Sequence, residues 1–237
     1  EINRSKKNFC NKQELVQFKK NIIIKNLSYS YNNQKILENI NIEINKGKII
    51  GLLGMSGSGK TTLLNILMGF LSDYKGEIFI DNIENNLKNK KWEKKISYVP
   101  QDIIFLNDTI RKNVAYGHED SQINQKQIDL VLEKAGIKTF VSNLKNKDET
   151  NLSDMALNIS GGQRQRLGLA RALYFQPEFL ILDEATSSLD EMTEKEILSN
   201  LKETKGNLTI LMTTHRKSAL EFCDNVFEIK DGTIAEN

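Results

Sequence analysis

The sequence predicts an α/β fold: a mainly parallel sheet, an antiparallel β subdomain near the N-terminus and an inserted α-helical subdomain over about residues 102–173. Three observations carry this. Residues Asn21–Asn45 alternate with period two, the mark of half-buried antiparallel strands. Lys48–Phe70 reads as a short apolar strand, a glycine-rich turn and a helix, which opens an α/β unit. Gln101–Leu173 reads mainly as helix and loop and interrupts a series of apolar strand candidates.

Within the alternating stretch, Ile40, Ile42 and Ile44 fall on one face, with Asn41, Glu43 and Asn45 on the other. Ile22–Tyr31 is the expected partner strand, with Asn32-Asn33 in the turn between them. Lys48–Leu53 is apolar and ends at a glycine, and Thr61–Phe70 is a helix stopped near Gly69. Glu77–Asp81, Ile96–Val99, Phe179–Asp183, Leu208–Thr213 and Val226–Ile229 read as further buried strands. Gln127–Ala135 and Arg164–Leu173 are the best helices of the insertion.

Composition narrows the function classes. The 33 basic and 31 acidic residues leave a formal charge of +2, too even to point to nucleic acid or a membrane surface. No apolar run approaches the roughly 20 residues that cross a bilayer. Cys10 and Cys223 stand far apart and in no ligand spacing, as expected of a reducing compartment, and neither His118 nor His215 has a metal-like neighbour. Residues 1–20 are polar, without a signal-peptide pattern, and read as a linker with one short amphipathic stretch, Glu14–Phe18. The basic stretch Lys88–Lys95 is expected to be a solvated face around one packed side chain, Trp92.

The chemistry begins at Gly54-Met55-Ser56-Gly57-Ser58-Gly59-Lys60-Thr61, a full P-loop pattern between a strand and a helix. Its glycines let backbone N–H groups curl around phosphate, and the helix adds its positive end. Lys60 contributes a full charge, worth roughly 4 kcal/mol against a phosphate charge at about 4 Å with an effective dielectric near 20. The Thr61 hydroxyl suits Mg²⁺, and Thr62 follows it in the phosphate-binding turn. The pattern makes the core that of a P-loop nucleotide hydrolase, with ATP and Mg²⁺ as its ligands.

Phe179–Asp183 is an apolar strand ending in two carboxylates, Asp183 and Glu184. A parallel strand delivers such groups to the crevice that holds the P-loop. Asp183 is then expected to hold the metal, and Glu184 to act as general base on the attacking water, a role worth about 10²–10⁴-fold. Farther upstream, Ser160-Gly161-Gly162-Gln163 opens a helix and forms a second anion-binding surface. Ser160 alone is an ordinary N-cap, whereas two consecutive glycines weaken a helix start. One triphosphate needs one cradle, so a second suggests a site shared between two molecules.

From Asn21 to the C-terminus these residues resemble the nucleotide-binding domain of ABC transporters, which implies a boundary at about residue 21. Ile159-Ser160-Gly161-Gly162-Gln163 is similar to the family signature, with Ile159 in place of the usual Leu. The resemblance implies that Gln101 contacts the magnesium and senses a transmembrane domain. It implies that Ser188-Leu189-Asp190 is the D-loop, bringing Asp190 to the nucleotide, and that His215 reaches the γ-phosphate. Tyr31 sits where the family stacks an aromatic on adenine, although Tyr29 faces the same side. The implied catalytic set is Lys60, Gln101, Glu184 and His215, completed by a second domain in a head-to-tail, ATP-dependent pair, expected to be a homodimer.

Gln101–Gly117 is similar to the exporter-type stretch after the glutamine. Thr150–Ala156 keeps the register of the exporter pattern that touches coupling helices, with Asp154 for Glu and both glycines lost. The resemblance thus implies an exporter or flippase at the cytoplasmic face of the inner membrane, joined to a transmembrane domain through the linker. His215-Arg216, Ser218–Leu220 and Cys223-Asp224 are loosely similar to glycolipid and polysaccharide exporters. A peptide exporter, an importer and a soluble ABC ATPase of ribosomes or chromosomes are the alternatives. About 100 residues separate Lys60 from Ser160, without sustained heptads, which suits the soluble classes poorly.

Overall fold

The computed structural model describes residues 18–84, 92, 95–153, 159–203 and 207–236. Most of the linker, Cys10, most of the Lys88–Lys95 stretch and the segment around Asp154 lie outside the described residues. Two sheets organise the chain. The first is antiparallel, in the order β2-β1-β4-β5, from β1 (Asn21–Tyr31), β2 (Gln34–Asn45), β4 (Lys75–Ile80) and β5 (Ile83–Glu84). Asn32 and Asn33 both take positive φ, +42° and +66°, as the tight turn between β1 and β2 demands.

The second sheet runs β10-β9-β3-β8-β7-β6. It comprises β3 (Ile49–Leu53), β6 (Ile96–Val99), β7 (Phe179–Asp183), β8 (Thr209–Thr213), β9 (Asn225–Lys230) and β10 (Thr233–Glu236). The pairs β9-β3, β3-β8, β8-β7 and β7-β6 are parallel, and β10 closes the edge as an antiparallel hairpin with β9. Its middle strands are buried on both faces. In β7, Leu180 and Leu182 pack on the helical side, while Phe179 and Ile181 pack against the side that holds the antiparallel sheet. Burial on both faces is why this segment is one continuous apolar run rather than an alternating one.

Glu77–Asp81 and Val226–Ile229 depart from the expected buried strands, and in the latter Glu228 is exposed. β4 belongs to the antiparallel sheet, and Lys75, Gly76 and Glu77 are exposed while Ile78 and Ile80 point inward. β10 was not expected, because its residues carry no strong alternation.

Seven α-helices are described. α1 (Lys60–Leu67) follows β3 and buries Leu63, Leu64, Ile66 and Leu67, each worth about 1.5–3 kcal/mol. Gly69, at φ +80°, ends it. Between β6 and β7 come α2 (Ile110–Val114), α3 (Gln125–Lys134), α4 (Lys138–Ser142) and α5 (Gly161–Tyr174). α6 (Glu191–Lys202) and α7 (Lys217–Leu220) flank β8. α5 underlies the group, its Leu167, Leu169, Ala170 and Leu173 sharing one core with Ile128, Val131 and Leu132 of α3. These helices pack in one cluster against the sheet.

Trp92 is wholly buried, its indole N–H donating to Leu67 O at 3.0 Å, and it packs with Phe18 and Phe179. Lys95 pairs with Glu178. The one packed side chain expected in the basic stretch is there.

Candidate nucleotide site

The parallel register gathers the site. Leu52 of β3 and Asp183 of β7 both pair with Thr213 of β8, so all three strands end together. Such ends of adjacent parallel strands form the usual ligand crevice of an α/β sheet. The P-loop leaves β3 there, and Asp183-Glu184 leave β7. The segment Thr214–Arg216 leaves β8, and Gln101, which is exposed, follows β6 two residues after Val99.

The loop needs its glycines for two physical reasons. Gly54, Gly57 and Gly59 sit at φ +148°, +79° and +108°, where side chains are strained. A Cβ on Gly54 would also lie 2.4 Å from Ser58 Oγ and 2.5 Å from Ile229 O, and one on Gly59 would lie 2.7 Å from Leu37 Cδ2. The second contact shows the β1-β2 hairpin leaning on the start of α1.

What the loop leaves unsatisfied indicates its ligand. The longer helices α3, α5 and α6 each begin with a side-chain cap, from Asn124, Ser160 and Asp190 respectively. α1 has none: its N-cap is Gly59, and no side chain bonds its first turn. Ser58 Oγ is buried with no hydrogen-bond partner. Lys60 is only 7% exposed, and its Nζ donates to Gly54 O at 2.7 Å and Met55 O at 3.0 Å. Uncapped amides, a spare hydroxyl and a folded-back cation fit a phosphate chain. Ser56 and Thr61 are exposed beside them, with Thr62 half-buried. Carboxylate, hydroxyl and amide oxygens from Asp183, Thr61 and Gln101 form a hard donor set that fits Mg²⁺.

The acidic pair is held in place by hydroxyls that sequence reasoning missed. Thr213 Oγ1 donates to Asp183 Oδ1 at 2.7 Å and accepts from Glu184 N at 2.9 Å. Thr213 is buried, so both bonds are shielded from water. Tyr98 OH donates to the other oxygen, Asp183 Oδ2, at 3.2 Å. Burial first, and then the Asp183 carboxylate, pushes the Tyr98 phenol up to about 12, so it remains a donor throughout the neutral range. Glu184 takes a left-handed φ of +49°, a conformation that costs a non-glycine residue about 1–2 kcal/mol. Its side chain meets His215, with Nε2 2.9 Å from Glu184 Oε1. The sequence brought Glu184 and His215 to one place by resemblance, and they touch.

Tyr29 and Tyr31 are no longer equivalent. Tyr29 is buried; Tyr31 is 50% exposed, its ring edge-to-face with Tyr29 at 5.1 Å between centroids. Tyr31 offers the free aromatic face.

The second cradle is built differently. Ser160 Oγ accepts from Gln163 N at 3.1 Å, and Gln163 Oε1 accepts from Ser160 N at 2.9 Å, a reciprocal capping box. Neither Gly161 nor Gly162 has positive φ. The loop Ser187–Leu189 crosses them closely. A Cβ on Gly161 would meet Ser188 Cβ at 3.2 Å, and one on Gly162 would meet Ser188 O at 3.2 Å. The paired glycines thus have a packing reason inside the chain, which the sequence reading had not foreseen. Asp190 caps α6, Oδ1 accepting from Thr193 N at 3.0 Å and Oδ2 from Thr193 Oγ1 at 2.6 Å.

Residues 37–187, which take in both cradles and the acidic pair, match the family model described as ABC transporter. The chain belongs to the ABC transporter family. An ATP-dependent lipid A-core flippase of Ralstonia nicotianae is 41% identical over 192 residues, covering 80% of this chain and 32% of that protein. A flippase of the same name from Vibrio vulnificus is 38% identical over 191 residues, with coverages of 80% and 33%. Among solved structures, a bacterial Atm1-family ABC exporter with ATP bound superposes with a TM-score of 0.84 at 30% identity, over 92% of this chain and 38% of that one. The chain spans about a third of the length of the curated ABC transporter relatives it matches. It has the fold of their nucleotide-binding domain.

Proposed function

We propose that this chain binds MgATP and hydrolyses it to drive export or flipping of a lipid-like substrate, as the nucleotide-binding domain of an ABC exporter. The observation that carries the hydrolytic part is the convergence of an uncapped α1, the buried and unpartnered Ser58 hydroxyl, and the Glu184–His215 contact at one sheet edge.

Lys60, Ser56, Ser58 and the amides of Gly57–Thr62 bind the phosphates, and Tyr31 stacks on the base. Asp183, Thr61 and Gln101 would hold Mg²⁺, which when bound offsets charge on the β- and γ-phosphates. Glu184 orients water for in-line attack. As the water oxygen bonds to the γ-phosphorus, the bond to the ADP oxygen breaks and the water proton passes to Glu184. His215 steadies that carboxylate and reaches the γ-phosphate. Ser160, Gly161, Gly162 and Gln163 then serve a second nucleotide, held by the P-loop of a partner domain. An identical chain is the simplest partner, with Asp190 beside the junction as the cap of α6.

A transmembrane domain is the other proposed partner. Ile103–Asn107, Leu152, Ser153, Ile159 and Arg164 line a surface groove of about 300 Å³. Ile104 is 82% and Leu106 51% exposed on it, an apolar patch that suits a helix end from such a domain. Among the described residues no helix is long and apolar enough to cross a membrane. The cytoplasmic face of the inner membrane and residues 1–20 as the connection belong to this reading, as do the 21–237 boundary and an insertion at about 102–173. Lipid or glycolipid is the proposed cargo class, in line with the names of the similar flippases.

The test is phosphate release by the full-length protein in lipid vesicles, with glycolipid or peptide added. Stimulation by glycolipid supports the cargo class, and stimulation by peptide alone overturns it. The shared site is tested with Ser160→Arg, which is expected to stop hydrolysis while leaving ATP binding by each P-loop intact. Wild-type hydrolysis in that variant would sink it.

A further inference from the structure

We infer that Arg216 and Gln165 are positioning residues that clamp the loop Ser187–Leu189 from opposite sides and so tie one chain's hydrolytic residues to its own signature segment. Arg216 follows His215 directly. Its Nη1 donates to Leu189 O at 2.7 Å and its Nη2 to Ser187 O at 2.7 Å. A planar guanidinium holds these two N–H groups in a fixed fork. The guanidinium is itself anchored. Glu194 of α6 is wholly buried and lies 3.5 Å from Arg216 Nη1, and its Oε2 accepts from Ser218 Oγ at 3.1 Å.

From the other side, Gln165 of α5 is 4% exposed, and its Oε1 accepts from Ser188 N at 2.9 Å while its Nε2 donates to Ser187 Oγ at 3.1 Å. One turn earlier on the same helix, a Cβ on Gly161 or Gly162 would make a tight contact with Ser188, at 3.2 Å. Below the loop lies a small apolar cavity lined by Gln165, Leu169, Leu182, Ala185, Leu189 and Ile197. Hydrogen bonds to Arg216 and Gln165 hold the loop beside it.

The consequence is mechanical. A shift of the His215-Arg216 segment pulls the carbonyls of Ser187 and Leu189, and the loop cannot move without displacing Ser188 against Gly161 and Gly162. This inference rests on the shared-site reading, under which Glu184 and His215 act on one ATP while Ser160–Gln163 act on the other. The clamp then makes each chain report the state of one site to the other, and the influence is reciprocal.

Hydrogen exchange on the full-length protein tests it. Arg216→Ala is expected to raise amide exchange at Ser187–Leu189 and also at Gly161–Gln163, by at least about fivefold, the low end of ordinary coupling between sites. It should lower kcat with ATP affinity unchanged. Gln165→Ala reads the same link from the other end and should raise exchange at Thr214–Arg216. It serves if the arginine variant does not fold. Exchange changes confined to Ser187–Leu189 in both variants would overturn the clamp, since a merely local role stops there. Hydrolysis surviving Ser160→Arg would instead overturn the shared site and leave the intrachain link standing.

Discussion

The P-loop and the signature segment both present glycines at the start of a helix, and the two use them for opposite reasons. In the P-loop, glycine answers the backbone: positive φ at Gly54, Gly57 and Gly59 curls the chain and leaves α1 uncapped. In the signature, glycine answers a neighbour: Gly161 and Gly162 are conformationally ordinary, their helix is capped by Ser160, and what they lack is space beside Ser188. The first half gathers a cation, two carboxylates and a histidine within one strand-end crevice. The second carries no carboxylate of its own and is fastened to the loop that follows Glu184. One half gathers charged groups, the other packs against a loop.

The comparison can be broken most sharply at Glu184. Glu184→Gln keeps the shape but removes the base, so hydrolysis should fall by about 10²–10⁴-fold with ATP binding retained. Phosphate release and nucleotide titration check this, and turnover at the wild-type rate would remove Glu184 from its role. Next comes Thr213→Val, which removes a donor to Asp183 and an acceptor for Glu184 N at nearly constant volume. Bonds to charged groups are worth about 1.5–3 kcal/mol, so kcat should drop roughly 10–100-fold, with Thr213→Ser restoring most of it. A variant as active as wild type would show that the acidic pair positions itself.

The glycines come third. Gly54→Ala should abolish ATP binding, because its Cβ has no free space and φ is unfavourable. Gly161→Ala should leave ATP binding by the same chain unchanged and cost about 1–3 kcal/mol by overpacking against Ser188, visible in denaturant titration. Equal loss of ATP binding in both would erase the distinction between the two halves. The smallest effect is expected at Tyr98. Its folded pKa is raised to about 12, so the stability it contributes is fully present below about pH 10 and is lost as pH rises through about 12. Tyr98→Phe should flatten that alkaline step in a stability–pH profile and leave hydrolysis near neutral pH within a fewfold of wild type.

Much of the nucleotide site was legible because its residues are contiguous. Lys60, Thr61, Asp183 and Glu184 lie within short segments whose strand or helix identity follows from local periodicity, and the loop turns sharply only where glycine permits. Two of the helices between β6 and β7, α3 and α5, were legible for the same reason. Thr213, Tyr98, Arg216 and Gln165 were not, although each sits within a few residues of a recognised motif. Their roles depend on which strand lies beside which. The order β3-β8-β7-β6 sets Thr213 next to Asp183 and brings Tyr98 within reach of the same carboxylate, and no spacing along the chain encodes that order. The difference in burial between Tyr29 and Tyr31, two residues apart on one strand, was likewise not legible.

By itself, then, the sequence determined most of the strands, the helices with the strongest apolar period, the phosphate-loop pattern and the acidic pair at a strand end, since backbone propensity and apolar period act locally. The tertiary structure alone decided why Gly161 and Gly162 are glycines, what Asp190 caps and which hydroxyls hold the acids. Those depend on distances between segments far apart in the chain, which only the packed sheet and helices bring together.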